Sequence, residues 1–333
     1  MATLTETNLT MADHAQRTDP TGVIPAIVEL LEQKNPAIKH AIFQEGNLTT
    51  GHRFIQRVAE PTVGLRELNQ GTVPSKSRTE PVTEDCSIIE AWSEVDEEVA
   101  KLNGQIQRTR WSEDISFISA MNKKFFNLLF YGDPASNALE YRGLANRYNS
   151  LSGDNSDNIV VQASASGTDC MSAFFCVWGD QTMYGIFPKG QKAGLDVEDL
   201  GLETKENATT GALMRVYRTH FMWKVGLALK DWRYVSRAQL DKSVMDASAD
   251  GMKAAVTTLI KAYHRVNDWQ SGVGAIYVGR TCYEYLHLAV IEKVASSTLK
   301  IVEDLERGRP IMTFLGVPIY MCEGLLATET AIS

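Results

Sequence analysis

Hydrophobic and polar positions change period several times along this chain, and each change marks a different element. The sharpest pattern lies between Asp96 and Tyr131, where no proline occurs and Trp111, Ile115, Ile118, Phe125 and Leu129 recur at spacings near three, four and seven. Residues so spaced line one face of an α-helix. Gly104 interrupts the stretch, and the part after it predicts a helix about 40 Å long. Gly132-Asp133-Pro134 ends it, because proline has no N–H for the helical ladder and clashes with the turn before it. A helix this long in a mixed chain is expected to be a spine laid against a sheet, with those five residues as its core face.

Upstream, the pattern is interrupted rather than periodic. Residues 1–23 are polar and read as an extended arm with no core face of its own; Pro25 to Leu31 and the run from Asn35 predict short helical pieces. Between Gly51 and Ser87, Pro61, Gly64, Gly71 and Pro74 break up H-R-F-I-Q-R-V-A and L-R-E-L-N-Q-G-T-V, which predicts a β-hairpin with a long, polar excursion. Arg66, Lys76, Arg78 and Glu80 on that excursion are the residues expected to face a partner. Downstream, Ser, Gly, Asn and Asp crowd the stretch around 150, where a domain boundary is expected. Strands and turns then alternate over 159–235, with F-M-W-K-V-G-L-A-L-K-D-W-R-Y-V favouring strand by its aromatic and β-branched content. Met252, Val256, Leu259 or Ile260, Tyr263 and Val266 form one helical stripe, and Leu286, Val290 and Val294 another. The last apolar run, I-M-T-F-L-G-V-P-I-Y-M-C, predicts two strands joined at Gly316 and Pro318.

From Trp178 to Gly201, glycines at 179, 185, 190, 194 and 201 with Pro188 predict shaped turns between short strands, since glycine supplies positive φ and close approach while proline fixes φ. The stretch holds no His, Cys or Ser. Its work is therefore shape and contact.

Composition narrows the classes. With 333 residues and 44% hydrophobic content a sizeable core is available, and no apolar run approaches the roughly 20 residues of a membrane helix. Forty-one acidic residues against 33 basic ones give a net charge of −8, which argues against a protein that grips nucleic acid by neutralising phosphates. The cysteines Cys86, Cys170, Cys176, Cys282 and Cys322 are odd in number and unpatterned, as expected of buried reduced thiols. The six histidines show no metal-binding spacing. S-G-V-G-A-I-Y-V-G-R at 271–280 places its strand after the glycines, whereas a dinucleotide turn needs the strand first. Asp154, Asn155, Asp157 and Asn158 lack the register of a calcium loop and read as a solvated turn. Glu94, Asp96, Glu97 and Glu98 suit a helix N-terminus. No catalytic, metal-binding or cofactor-binding residue is expected.

Four stretches carry a resemblance: I-V-E-L-L-E-Q-K-N-P-A-I-K-H-A, L-R-E-L-N-Q-G-T-V-P-S-K-S, W-G-D-Q-T-M-Y-G-I-F-P-K-G-Q-K-A-G-L and F-L-G-V-P-I-Y. With them, the chain resembles the tailed-phage major capsid proteins, in particular the podovirus subgroup of phage epsilon15. The resemblance implies an α+β fold, the Johnson fold, with an N-terminal arm, an E-loop hairpin, a P-domain carrying a spine helix, and an A-domain. The order above then maps as arm 1–50, E-loop 51–92, P-domain 93–150 and A-domain 151–333, with strands returning to the P-domain. It further implies a structural subunit that forms pentamers and hexamers of an icosahedral shell around double-stranded DNA, contacted weakly and without sequence preference. Expected partners are the chain itself, a separate scaffolding protein, a portal and a decoration protein; the expected location is the virion capsid after synthesis in the host cytoplasm. A bacterial nanocompartment shell of the same fold and a cytoplasmic α/β enzyme are the alternatives.

Overall fold

The computed structural model describes residues 36–153, 155–163, 165–206, 211–291, 299–303 and 310–332. Of the expected arm, residues up to 35, including the short helix from Pro25, lie outside these. The described chain begins with a helical turn, Ala37–His40, and strand β1 (Phe43–Glu45). Strands β2 (Gly51–Ala59) and β3 (Arg78–Asp96) form a hairpin leading to helix α1 (Ile106–Tyr131). After a turn at Leu144–Arg147 come β4 (Ile159–Val161), β5 (Cys170–Trp178), β6 (Met183–Phe187), β7 (Leu195–Glu206), β8 (Leu213–Leu229) and β9 (Val235–Asp241). Helices α2 (Ala249–Arg265) and α3 (Arg280–Ile291) flank β10 (Val273–Val278), followed by β11 (Leu299–Glu303), β12 (Pro310–Phe314) and β13 (Val317–Met321). The long aromatic run is thus two strands, because Trp232–Tyr234 make a short 3-10 turn capped by Asp231.

The described chain divides into two compact units. The smaller groups Ile88–Phe126 with Gly194–Lys224; the larger holds Lys34–Ser87, Asn127–Ala193 and Val225–Ser333. No division falls near residue 150, because the polar stretch there is held inside the larger unit. Asn158, expected in a solvated turn, is buried, and its Nδ2 donates to the carbonyls of Trp232 (3.2 Å) and Val235 (2.7 Å).

In the larger unit all nine residues of β5 are buried. The strand lies between β9 and β10, antiparallel to both, and β13 continues the sheet parallel to β10. On one face Met171, Ala173, Phe175 and Val177 join a cluster with Leu259 of α2, Leu286 of α3 and Phe314. On the other, Phe174 lies 5.3 Å from Phe130 in the last turn of α1. A strand covered on both faces carries apolar residues continuously rather than alternately, which is how C-M-S-A-F-F-C-V-W reads.

Two glycine sites explain the Trp178–Gly201 stretch. β1 pairs parallel to β6, and a Cβ at Gly185 would lie 2.5 Å from the Phe43 ring, so only glycine lets this pair close. Gly190 and Gly194 turn the chain at φ +76° and +90°. At the other end, Leu315 and Gly316 (φ 49° and 88°) form the two-residue turn between β12 and β13; Pro318 lies within β13 rather than at the joint.

In the smaller unit β7 and β8 form an antiparallel ribbon and β8 also neighbours β3. The helix packs through Phe117, parallel to Phe221 at 6.1 Å, and Phe125, stacked on Trp223 at 4.5 Å. Phe125 and Leu129 are buried and Ile115 and Ile118 are half-buried, but Trp111 is 60% exposed. The reason is a phase difference. The inward side at this end is Arg110, Asp114, Phe117 and Met121, equally helical in spacing, and its first two members are polar. Trp111 is apolar but sits off that side.

Candidate assembly surface

The feature of this fold that does least for its own chain is the β2–β3 hairpin. Its ladder runs from Gly51↔Asp85 to Arg57↔Thr79, with a bulge before Ala59↔Arg78. Beyond it, residues 60–77 form no strand. A turn at Leu68-Asn69 reverses the chain, with Asn69 at φ 66° and Gln70 N–H donating to the Glu67 carbonyl (3.2 Å). Ser75 Oγ donates to the Thr62 carbonyl (2.8 Å) and ties the two legs together. Arg66 and Lys76 are exposed; Arg78 and Glu80 pair with each other, Arg78 Nε lying 3.1 Å from Glu80 Oε1. That hydrogen bond raises the Arg78 pKa. The excursion is not simply polar, because Val63, Leu65, Leu68 and Val73 are each at least 88% exposed.

The hairpin base is anchored firmly. Asn47 brackets Arg53, accepting from its N–H (2.7 Å) and donating to its carbonyl (2.6 Å). Gln56 Nε2 donates to the Lys230 carbonyl (2.6 Å). Below them Glu84 and Arg147 form a two-pronged ion pair, Nη1–Oε1 2.5 Å and Nη2–Oε2 2.7 Å, with side chains only 8% and 9% exposed. Arg147 also donates to the Leu227 carbonyl (3.2 Å). Beside this pair opens a cleft of about 510 Å³ lined by Val58, Glu80, Val82, Asp85, Tyr141 and Trp232 among others.

The smaller unit carries a second polar system. Arg110, buried on α1, pairs with Asp199 and donates to Thr219 Oγ1 (3.2 Å). The Arg110 hydrogen bond holds the Asp199 carboxyl below its usual range, whereas burial raises that of Asp114. Glu94 accepts from Arg218 (Nε 3.0 Å) and pairs with Lys205; Arg218 continues to Glu203 (2.7 Å). Of the acidic run, Asp96 caps the helical turn Glu97–Lys101, accepting from Glu98 N–H (2.8 Å) and Val99 N–H (3.4 Å), and Glu94 belongs to the sheet instead.

Among the described residues no group of three His, Cys, Asp or Glu side chains could hold a metal ion. The five cysteines are unpaired, and burial pushes Cys170 up to about 11 and Cys86 and Cys282 up to about 12, with Cys176 and Cys322 higher still. Such thiols carry almost no thiolate at neutral pH.

The model of the family described as major capsid protein GP7 matches residues 19–333. This chain belongs to that family. The capsid protein is also similar to a solved structure of bacteriophage epsilon15, at 26% identity and TM-score 0.76, over 100% of this chain and 99% of that one. The bacteriophage JBD30 capsid follows at 11% identity and TM-score 0.47, over 89% and 92% of the two chains. An encapsulin complex from Synechococcus elongatus gives 11% and 0.42, over 69% and 95%. Comparison with curated proteins gives no match. The fold is therefore the α+β tailed-phage capsid fold, and the role of the chain is structural.

For a capsid protein, the informative residues are those that the chain leaves unpaired with itself. The sequence pointed to Arg66, Lys76, Arg78 and Glu80 on the excursion; Arg66 and Lys76 lie there and are exposed, whereas Arg78 and Glu80 belong to strand β3 and pair with each other. It missed the apolar tip, although Val63, Leu65, Leu68 and Val73 recur there visibly. It also missed the Glu84–Arg147 pair, whose partners are 63 positions apart and carry no local signal.

Proposed function

We propose that this capsid protein assembles as pentamers and hexamers into an icosahedral shell that encloses double-stranded DNA. The β2–β3 hairpin is its E-loop, the smaller unit with α1 as spine its P-domain, and the sheet of β5, β9, β10 and β13 with α2 and α3 its A-domain. The observation that carries this reading is the hairpin. A segment of 18 residues, 60–77, has no strand of its own and presents four bare apolar side chains, yet it is anchored at its base by paired backbone and side-chain bonds. Apolar groups so presented mark a surface that another molecule covers.

A net charge of −8 suits a wall that contains DNA without binding it tightly. Scaffolding protein, portal and decoration protein are the further partners of this reading, and synthesis in the host cytoplasm precedes incorporation into the virion. The role requires no catalysis. Co-expression with the scaffolding protein of the same genome, followed by electron microscopy, tests it. Closed shells built of five- and six-fold capsomers are expected; a subunit that remains monomeric in every condition overturns it, and shells that load an enzyme in place of DNA would make it a nanocompartment.

A further inference from the structure

The described chain begins at a joint. Ala37–His40 form one helical turn whose backbone bonds are internal: Lys39 N–H donates to the Pro36 carbonyl (3.0 Å) and Ala41 N–H to the Ala37 carbonyl (2.9 Å). At Ala41 the backbone becomes extended (φ −65°, ψ 126°). From there the sheet holds it, because Gly185 N–H donates to the Ile42 carbonyl (2.8 Å) and β1 pairs with β6. The turn itself lies against β10 with Ala37 buried, and the side-chain hydrogen bond that ties it there is made by His40.

The direction of that bond follows from its neighbours. His40 Nδ1 lies 3.2 Å from Tyr277 Oη of β10, and Trp178 Nε1 at the end of β5 lies 2.9 Å from the same oxygen. An indole N–H can only donate. Tyr277 Oη therefore accepts from Trp178 and turns its own hydrogen to His40 Nδ1, which accepts it. This fixes the imidazole as neutral, with its proton on Nε2. A second proton, on Nδ1, would set an N–H against that O–H and leave the hydroxyl hydrogen of the buried Tyr277 without its acceptor, which is costly.

The surroundings give the proton no help. The rings nearest His40 are phenols, Tyr320 of β13 at 4.3 Å and Tyr277 at 6.2 Å, and neither supplies a negative charge. Behind Tyr277, burial keeps the thiols Cys176 and Cys322 neutral. Burial, with the like charge of Lys39 adding to it, holds the His40 pKa below 6.5. We propose that His40 is a pH-operated latch: neutral, it fixes the turn Ala37–His40 on β10 and so sets how the chain enters the sheet; protonated, it lets the turn swing out about Ala41 while β1 stays paired. Once swung out, the imidazole stands in water and takes its proton at the ordinary value of 6.5. The closed latch is therefore fully favoured above pH 6.5 and loses ground as pH falls through the closed-state value.

Hydrogen exchange of the unassembled full chain, read by mass spectrometry and corrected for intrinsic rates, tests the latch. Between about pH 7.5 and about pH 5.5, the span over which a histidine changes charge, the amides of Lys39 and Ala41 should lose protection several-fold while those of β1 and β5 keep theirs. In His40→Gln the side-chain carbonyl can accept from Tyr277 and takes no proton, so protection should persist at the lower pH. His40→Lys, charged throughout, should lack it at both. His52→Gln removes the other histidine lowered by burial and should leave the drop as in the wild type. Wild-type protection that does not change with pH overturns the latch, as does a drop that survives in His40→Gln or disappears in His52→Gln. Protection retained in His40→Lys, or a drop shared by β5, which would be unfolding of the whole unit, overturns it equally.

Discussion

Strand β5 and the β2–β3 hairpin use the same kinds of apolar residue to opposite ends. In β5 every side chain is buried, sandwiched between α2 and α3 on one face and the end of α1 on the other. On the hairpin, four large apolar residues stand almost wholly in solvent. Burying such a side chain is worth about 1.5–3 kcal/mol. In β5 that energy holds one subunit together; on the hairpin folding leaves it unspent, for another subunit to supply in the reading proposed above. A capsid chain must therefore be read as two balances, one closed by folding and one closed by assembly.

The contrast can be broken at either end. The largest effect on the subunit itself is expected from Phe125→Asp. It would put a charge against Trp223 in the core of the smaller unit, at a cost of several kcal/mol, comparable with a domain's whole stability. Circular dichroism should show loss of the cooperative melt; normal shells and an unchanged melt would mean that this stack contributes little.

Next come two buried ion pairs of the larger unit. Arg237 Nη2 meets Glu329 Oε2 at 2.7 Å, with side chains 7% and 6% exposed, and Glu329 also accepts from Tyr131 Oη (2.6 Å) and Ser172. Arg237 is held in addition by the carbonyls of Ala145 (3.0 Å) and Tyr148 (2.7 Å). Glu329→Ala leaves this arginine buried without its carboxylate and should cost about 3–5 kcal/mol in denaturant unfolding. Glu84→Ala should cost less, since the adjoining cleft lets water reach Arg147.

Replacing residues 62–77 by a short Gly-Ser linker should change subunit stability by less than about 1 kcal/mol, because the segment is exposed and outside the ladder, and should abolish stable shells. Circular dichroism reports the first and electron microscopy the second. Unfolding would place the segment in the core; stable shells would make it dispensable.

The smallest effect is on pH dependence. His40 sits 4.3 Å from the Tyr320 ring and 3.2 Å from Tyr277 Oη; burial, with Lys39 adding to it, holds its pKa below 6.5. His52, on Tyr184, is lowered by burial and by Lys230. Both bind a proton more readily when unfolded. Their contribution is therefore fully present above pH 6.5 and is lost as pH falls through their folded values. Melting temperature should decline below that pH, and His40→Gln should flatten the decline. An unaltered profile would remove His40 from the account.

Much of the fold was legible because it is written in local periodicity. The spine helix, the α2 stripe Val256, Leu259 and Val266, the hairpin and the turn at Gly316 all follow from spacing and backbone chemistry that a few neighbouring residues decide. The candidate surface was half legible. Charges on the excursion stood out, and its apolar tip was passed over because four scattered residues among prolines and glycines resemble neither a strand nor a helix.

What the sequence determined by itself was the spine helix, the hairpin and the turns that only glycine can make. Only the tertiary structure decided which side of α1 faces the sheet, since Arg110 and Asp114 become inward residues through partners, Asp199 and Thr219, that lie far along the chain. It alone joined Glu84 to Arg147 and Arg237 to Glu329, and it alone showed which apolar residues go uncovered. Burial and ion pairing are relations between distant segments, and no spacing along one segment encodes them.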